Sequence, residues 1–192
     1  MSTHVCPFFL GYLLACPIRR LIHDPRKILG PLVKAGMTVL DIGPAMGFFT
    51  LPLARMVGPS GKVVCVDVQE RMLGALVKRA QAAGLADRIA TRVCPPTSLG
   101  IDDHAGKIDF ALAFAVVHEV PDAARLFADV ARGLRPGAQW LVAEPTGHVT
   151  VDAFERTIAV AREAGLVVIG RPRIALSHAA LFGKPAGANP GA

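Results

Sequence analysis

The chain of 192 residues is poor in aromatic side chains, with one Trp and one Tyr, and only 19% of its residues are charged. It also lacks a block of consecutive Lys and Arg residues, although its formal net charge is +6. Proteins that hold nucleic acids usually combine a basic stripe with aromatic side chains on which bases stack. The composition therefore argues against a nucleic-acid partner, and its 52% of hydrophobic residues excludes a disordered chain.

Long hydrophobic runs are missing as well. The most apolar stretch, residues 5–18, is shorter than the roughly 20 residues that a membrane-spanning helix needs, and it is interrupted by Pro7 and Gly11. Its basic neighbours, Arg19 and Arg20, follow the stretch, whereas those of a secretory leader precede it. We therefore expect no membrane span and no export, and we expect the stretch to form a short apolar helix that docks on the domain.

Cysteine is scarce for a chain that would depend on disulfide bonds. The four cysteines are Cys6, Cys16, Cys65 and Cys94. A chain of this size and apolarity can fold without covalent cross-links, because it has enough apolar surface to bury. We expect reduced thiols in a cytoplasmic protein that folds as one domain.

Short apolar runs alternate with helical patterns along most of the chain. The strand-like runs are residues 38–42, 62–67, 89–93, 108–113 and 139–144. The helical patterns, which space apolar residues at three and four, are residues 48–57, 70–83, 122–134 and 152–164. Because the strand-like runs are apolar throughout rather than at alternate positions, they predict parallel strands covered on both faces. The sequence therefore predicts an α/β, doubly wound, Rossmann-like domain.

Helix and strand boundaries at the two ends carry further signals. Asp24 followed by proline predicts the start of a short helix that ends at Gly36. In the last helical pattern, Asp152 and Glu155 have the spacing of a capping pair. The final strand-like runs, 166–171 and 174–182, are joined by too few residues for a crossover helix, so they predict an antiparallel pair.

A glycine-containing turn follows the first predicted strand and reads Asp41-Ile42-Gly43-Pro44-Ala45-Met46-Gly47. Glycine permits a sharp bend and a close approach of ligand to backbone, and the amides at the start of the next helix then face the ligand. The second strand ends at Asp67, where an acid in this fold accepts hydrogen bonds from both hydroxyls of an adenosine ribose. The turn and Asp67 together predict an adenosine-containing cofactor.

The position of Asp41 discriminates between cofactors. A dinucleotide turn reads Gly-x-Gly-x-x-Gly and holds a pyrophosphate at the helix start. An acid two residues before Gly43 would repel a pyrophosphate but attract the ammonium group of an amino-acid moiety. Together with the antiparallel final pair, the position of this acid favours S-adenosylmethionine as the cofactor. The rival cofactor is a nicotinamide dinucleotide, and a chain that bound it would be an oxidoreductase.

With these motifs the chain resembles the class I S-adenosylmethionine-dependent methyltransferases over about residues 34–184. The segments that carry the resemblance are residues 39–47, 64–67, 109–122 and 134–145. Residues 114–122 are most similar to the small-molecule branch that includes quinone and arsenite methyltransferases. The resemblance implies S-adenosylmethionine as the cofactor. It also implies a seven-stranded sheet of order 3-2-1-4-5-7-6, mostly parallel with an antiparallel C-terminal strand.

The resemblance also assigns cofactor-binding residues. Asp41 would lie near the amino group of the cofactor, Asp67 would bind the ribose hydroxyls and Val68 would flank the adenine. The residues around the methionine, ribose and sulfonium would be Gly43, Pro44, Ala45, Gly47, Phe114 and Ala115. The chain departs from the family pattern at Ala45, which replaces a glycine, and at Pro95, which replaces the polar residue that meets the adenine amine. Adenine recognition then falls to backbone groups and to Thr97 or Ser98.

Candidate catalytic residues follow the fourth and fifth strands. Methyl transfer needs a base only where the acceptor must lose a proton, and His118 and Glu144 are the candidates for that base. Each also has a structural alternative, His118 as a capping or core-bridging residue and Glu144 as a partner of the next loop. The Asn/Asp-Pro-Pro-aromatic motif of many nucleic-acid methyltransferases is absent after the fourth strand. We predict a small-molecule substrate, no nucleic acid and no metal.

By the same resemblance, residues 1–33 would form an apolar helical lid, residues 34–184 the cofactor-binding domain and residues 185–192 a flexible tail. Free cysteines usually fill space, but Cys6, Cys16 and Cys94 could instead hold a soft acceptor such as trivalent arsenic. The predicted function is methyl transfer, by in-line displacement, to a small apolar or soft acceptor. The alternatives are a module that binds S-adenosylmethionine without transferring its methyl group and, after it, a nucleic-acid methyltransferase. The acceptor atom and the oligomeric state stay open.

Overall fold

The computed structural model of the protein describes residues 21–186 and has a seven-stranded sheet at its centre. The strands are β1 (Thr38–Ile42), β2 (Lys62–Asp67), β3 (Ile89–Val93), β4 (Ile108–Phe114), β5 (Leu134–Pro145), β6 (Val167–Gly170) and β7 (Ser177–Gly183). Their order is β3-β2-β1-β4-β5-β7-β6. Strands β1 to β5 pair in parallel, whereas β7 is antiparallel to both of its neighbours. The predicted fold class and strand order are confirmed.

Helices cover both faces of the sheet. They are α1 (Pro25–Leu29), α2 (Thr50–Met56), α3 (Glu70–Ala82), α4 (Ala123–Gly133) and α5 (Val151–Glu163). Helices α1, α2 and α3 pack into one hydrophobic core, and α4 and α5 pack into the other. In β1 the fully buried side chains of Val39 and Leu40 belong to different cores, because successive strand residues point to opposite faces. This arrangement explains why the central strands β1, β2, β4 and β5 are apolar along most of their length.

Helix α1 is shorter than predicted. Its start is as expected, since Asp24 Oδ1 accepts a hydrogen bond from the Arg26 amide at 2.9 Å. The helix ends at Leu29 rather than at Gly36. Pro31 explains the early end, because proline has no backbone N–H to donate to the carbonyl four residues before it and so interrupts the helical hydrogen bonds.

Helix α5 is capped by a different residue from the one predicted. Thr150 is the N-cap, and its Oγ1 accepts a hydrogen bond from the Ala153 amide at 3.2 Å. Asp152 lies inside the first turn, so its predicted capping pair with Glu155 is wrong. Glu155 instead accepts hydrogen bonds of 2.5 and 2.9 Å from the guanidinium of Arg171.

Strand boundaries differ from the prediction at β5 and β7. Strand β5 begins at Leu134, where α4 has just ended, because Leu134 already pairs with Ile108 of β4. Strand β7 begins at Ser177 rather than at Ile174, since the intervening residues form a turn in which Leu176 has a φ of +54°. The start of β5 reflects pairing with a distant segment, to which a local pattern is blind, whereas the start of β7 reflects a tight turn with a bridge between Ile174 and Ser177.

Two predicted regions are described only in part. Of the proposed lid, residues 1–20 lie outside the described residues, and the same is true of residues 187–192 of the proposed tail. Over residues 21–186, no helix combines the length and apolarity needed to cross a membrane. The proposed domain boundaries therefore stay predictions.

Candidate cofactor-binding site

A cleft opens at the carboxyl ends of β1, β2 and β4. Strand order places it there, because β1 pairs with β2 on one side and with β4 on the other, so the following loops diverge above the sheet. Ten of the predicted cofactor-binding residues line it, namely Asp41, Gly43, Pro44, Ala45, Asp67, Val68, Thr97, Ser98, Phe114 and Ala115. Gly47, the remaining one, lies in the same turn but does not line the cleft.

The turn after β1 has an unusual backbone. Gly43, Ala45 and Gly47 have φ values of +63°, +47° and +86°. Glycine adopts this left-handed conformation freely, whereas an alanine there costs on the order of 1 kcal/mol. At Gly43 space is also short, since a Cβ atom would lie 2.6 Å from Cγ2 of Val116. The glycine pattern is thus explained by backbone geometry, and Ala45 keeps that geometry despite its methyl group.

We expect Gly43→Ala to destabilise the fold by about 2 kcal/mol, from the strain of a left-handed alanine and the displacement of Val116. Urea unfolding of the variant measures the change. Gly74→Ala is the control, because Gly74 lies inside α3 with open space around it. That variant should gain about 0.5–1 kcal/mol from helix propensity. Equal stability changes in the two variants would contradict the argument.

Asp41 is an almost completely buried acid beneath the turn. It is 3% exposed, and its Oδ2 accepts a hydrogen bond from Thr50 Oγ1 at 2.6 Å. Burial raises its pKa from the ordinary value of 3.8 to about 7, and the nearby charge of Asp67 adds to this effect. A cation close to Asp41 would favour its ionised form, which is the role predicted for the ammonium group of the cofactor.

Asp67 is held at the end of β2 by backbone amides. Its Oδ1 accepts a hydrogen bond from the Gln69 amide at 2.9 Å. Burial raises the pKa of Asp67, hydrogen bonds from the backbones of Gln69, Ala45 and Val68 oppose that rise, and the charge of Glu119 adds to it. Because these contacts orient the carboxylate without the help of another side chain, Asp67 presents a fixed acceptor for a diol.

The predicted adenine end contains a buried acid that sequence reasoning missed. Asp129 of α4 is 2% exposed, and its Oδ2 accepts hydrogen bonds from the Leu99 amide at 3.2 Å and from Ser98 Oγ at 3.4 Å. Its Oδ1 pairs with Arg125 at 3.0 Å and with Arg132 at 2.8 Å. The hydroxyl of Ser98 is therefore already engaged. The signal was present in the sequence, since Asp129 interrupts the apolar stripe of this helix.

Other lining residues were missed because nothing distinguishes them from core residues in the sequence. They are chiefly Met46, Phe48, Phe49, Met72, Leu99 and Val116. The charged Glu119 and Arg125 also line the cleft and were missed for lack of a motif around them. Three of the phenylalanines form an aromatic group, with ring centroids 5.0 Å apart for Phe48 and Phe49 and 4.4 Å apart for Phe49 and Phe114. His23 contacts Phe114 edge to face at 5.0 Å. One side of the cleft is therefore aromatic.

The two candidate catalytic residues lie together but do not line the cleft. Nδ1 of His118 is 2.5 Å from Oε2 of Glu144, whose side chain is 2% exposed. This hydrogen bond raises the pKa of His118, burial opposes the rise, and the charges of Glu144 and Glu119 add to it. The role of either residue as a base stays a prediction.

The described thiols are Cys65 and Cys94, and both are free and buried. Cys94 lines the cleft, and burial raises its pKa, as it does that of Cys65. Cys6 and Cys16 lie outside the described residues, so the proposed soft-acceptor site stays a prediction. Within the part of the chain that the structure describes, no three His, Cys, Asp or Glu side chains are grouped to hold a metal ion.

The charges of the cleft fit S-adenosylmethionine. Among residues 21–186, the acids that line it are Asp41, Asp67, Glu119, Asp122 and Asp129, and the one basic lining residue is Arg125. A sulfonium and an ammonium group are favoured beside such acids, whereas a pyrophosphate is repelled. The buried carboxylates suit an ammonium and a ribose diol, and the apolar walls suit an adenine ring.

Comparison with known proteins agrees with this geometry. A family model described as a methyltransferase domain matches residues 39–137. A ubiquinone/menaquinone biosynthesis C-methyltransferase from Hahella chejuensis is 32% identical over 126 residues, which are 64% of this chain and 50% of that protein. An arsenite methyltransferase from Halobacterium salinarum is 30% identical over 109 residues, which are 57% of this chain and 27% of that protein. The chain thus spans half the length or less of these two curated relatives.

A solved structure has the same fold. The crystal structure of an S-adenosylmethionine-dependent methyltransferase from Aquifex aeolicus matches with a TM-score of 0.84 at 23% identity, over 94% of this chain and 100% of that chain. The family model covers more than half of the 192 residues. The resemblance drawn from the sequence is confirmed, and the chain belongs to the class I S-adenosylmethionine-dependent methyltransferase family, with quinone and arsenite methyltransferases among its relatives.

Proposed function

We propose that the protein is an enzyme that binds S-adenosylmethionine in the cleft and transfers its methyl group to a small apolar or soft acceptor. The observation that carries the proposal is the pairing of Asp67, fixed by backbone amides at the end of β2, with the left-handed turn at Gly43 to Gly47 beside it. In this arrangement Asp67 would bind the ribose hydroxyls. Asp41 would attract the ammonium group, and the turn would border the methionine moiety.

The chemistry asks chiefly for alignment. When bound, the cofactor supplies a methyl group on a sulfonium, from which an acceptor lone pair takes the carbon while the electron pair of the broken bond stays on sulfur. The protein would contribute by fixing the angle of approach and by excluding water. Phe114 and Ala115, at the end of β4, would line the sulfonium side of the cleft.

The aromatic side of the cleft supports an apolar acceptor. Phe48, Phe49 and Phe114 place three rings against one another there. Such a wall gains free energy from covering an apolar ring, at roughly 25 cal/mol for each Å² removed from water. The relatives named for quinone and arsenite methylation point to the same kind of acceptor, apolar in one case and soft in the other. The predictions of a cytoplasmic location and of no nucleic-acid partner rest on the sequence arguments alone.

The proposal is tested in two steps. Calorimetric titration with S-adenosylmethionine and with S-adenosylhomocysteine should give saturable binding of both. Incubation with the isotope-labelled methyl donor and a panel of quinone precursors, phenols and arsenite should then label at least one acceptor. Binding of NAD(H) without a response to S-adenosylhomocysteine would contradict the cofactor assignment.

A binding module without transferase activity is the second candidate. It is favoured by the two departures from the family pattern, Ala45 in the turn and Pro95 at the adenine end. Ala45 adopts the left-handed conformation of the glycine it replaces, so this departure leaves the course of the turn intact. Cofactor binding with no labelled product from any acceptor in the panel would favour the module.

A further inference from the structure

Glu144, at the end of β5, is a buried carboxylate with more donors than an ordinary core residue collects. It is 1% exposed. Its Oε1 accepts hydrogen bonds from the amides of Val116 at 3.1 Å and Val117 at 3.0 Å. Its Oε2 accepts one from the amide of His118 at 3.1 Å and is 2.5 Å from the Nδ1 of the same residue. Both oxygens are therefore occupied, and none is left to take a proton from a substrate.

The segment that Glu144 holds is a wall of the cleft. Ala115 and Val116 line the cleft, and Val116 packs against Gly43 of the cofactor turn. The chain enters this segment through Ala115, which has a φ of +58° and donates a hydrogen bond to the carbonyl of Ala143 at 2.7 Å. A left-handed alanine persists only where its surroundings over-determine it. The carboxylate of Glu144 supplies that constraint through three successive amides.

The same carboxylate orients the imidazole of His118. A hydrogen bond from Nδ1 to a carboxylate places the proton of a neutral imidazole on Nδ1 and leaves Nε2 as a lone pair. The other groups near this ring are the carboxylate of Glu119 and the ring of His148, whose centroid is 5.7 Å away. Neither of them competes for Nδ1, because that nitrogen already contacts Glu144.

We propose that Glu144 is a positioning residue, which holds the wall at Ala115 and Val116 and fixes His118 as the tautomer whose Nε2 can accept a proton. The last step rests on the proposed function and requires the acceptor to reach the rim of the cleft, because His118 does not itself line the cleft but follows Val116 and precedes Glu119, which do. As an acceptor atom forms its bond to the methyl carbon, the carbon–sulfur bond breaks, its electron pair goes to sulfur, and the proton of the acceptor passes to Nε2 of His118. Glu144 gains no proton in this step. Its charge stabilises the imidazolium that forms.

Nitrogen-15 NMR of the histidine side chains tests the tautomer without any acceptor. In the wild-type protein, at a pH where His118 is neutral, we expect the protonated nitrogen to be Nδ1. In Glu144→Gln, the side-chain amide should donate to Nδ1 and move the proton to Nε2, and the pKa of His118 should fall because its carboxylate partner is gone. His148→Gln is the matched control, since His148 lies beside the ring but Nδ1 is bonded to Glu144, and it should leave the tautomer unchanged.

Activity then separates positioning from simple stabilisation. For an acceptor that loses a proton, Glu144→Gln should lower kcat about 100-fold. KM and the Kd of S-adenosylmethionine should stay within about threefold of wild type, because the glutamine oxygen can still accept from the amides of Val116 and Val117 and keep the wall in place. The pH at which the base titrates should shift with the NMR pKa. If Glu144→Gln fails to fold, two other results decide instead. They are the tautomer of His118 in the wild-type protein and, in His118→Gln, the loss of the acidic limb of the pH profile, which is the fall in rate as the base is protonated.

Several outcomes would overturn the inference. A wild-type His118 protonated on Nε2 would do so, as would a tautomer that is the same in wild type and Glu144→Gln. A fall in cofactor affinity with an unchanged kcat would assign Glu144 to the binding site instead. If no acceptor is methylated at all, the proposed function fails, but the NMR result still decides whether Glu144 fixes the tautomer.

Discussion

Asp67→Ala should weaken the binding of S-adenosylmethionine by about 100-fold or more and leave the fold intact. Two hydrogen bonds from ribose hydroxyls to an ionised carboxylate contribute about 1.5–3 kcal/mol each, and their loss raises the Kd by at least two orders of magnitude. The carboxylate is desolvated, so its removal also relieves a burial cost. That gain offsets the loss of the acceptor for the Gln69 amide. Calorimetric titration gives the Kd, and circular dichroism reports the fold.

Two further variants sharpen this test. Asp67→Asn keeps one carbonyl oxygen as an acceptor but loses the second acceptor oxygen and the negative charge. Its affinity for S-adenosylmethionine should therefore lie between those of wild type and Asp67→Ala. Asp87→Ala removes an acid whose side chain is 70% exposed and which is remote from the cleft, and it should bind the cofactor like wild type. Wild-type affinity in Asp67→Ala would mean that the ribose subsite is elsewhere.

Asp41→Asn should stabilise the protein while weakening cofactor binding. The folded-state pKa of Asp41 is about 7 against an ordinary value of 3.8, so the folded state binds the proton more tightly than the unfolded state does. Stability linked to this group is therefore lost as the pH rises from about 4 to about 7. Asparagine carries no titrating proton and keeps an oxygen for Thr50 Oγ1. The gain should approach zero at pH 4 and reach at most about 4 kcal/mol at pH 8.

Urea unfolding of both proteins across this pH range measures the effect. Asp87→Asn, at an exposed acid, gives the background for a charge removed from the surface. Titration of Asp41→Asn with S-adenosylmethionine should show weaker binding, because the ammonium group loses its ionised partner. A stability difference that does not change with pH would show that Asp41 is not the group responsible.

The turn and the acid at the end of β2 could be predicted from the sequence because each depends on local chemistry, whereas the sheet order was predicted from the resemblance to the methyltransferase family. A strand that ends in an acid, or a turn that needs left-handed residues, leaves its mark within a few positions. The start of β5 depended instead on pairing with β4, which is distant in sequence. The end of α1 before Pro31 and the turn before β7 are local features that the apolar patterns alone did not indicate. Helix α5 begins at Val151, one residue before the start that the apolar pattern indicates, so Thr150 rather than Asp152 occupies the capping position.

The site was predicted less completely than the fold. Aromatic and methionine residues of the cleft are indistinguishable in sequence from residues of the core, since both are apolar and both follow the helical spacing. Asp129 was visible as an acid within an apolar stripe, but its partners at Ser98 and Leu99 lie about 30 residues away. Glu144 also connects β5 to the segment that follows β4, because it accepts hydrogen bonds from the amides of Val116, Val117 and His118. No local pattern encodes this connection.

The buried acid beneath the turn has a thermodynamic consequence for ligand uptake. A group that titrates at about 7 holds its proton in roughly half of the molecules at neutral pH. A bound cation beside it would expel that proton into the buffer, so the heat evolved on saturation would depend on whether phosphate or Tris receives it. Uptake of the methyl donor would then be coupled to the acidity of the surrounding medium.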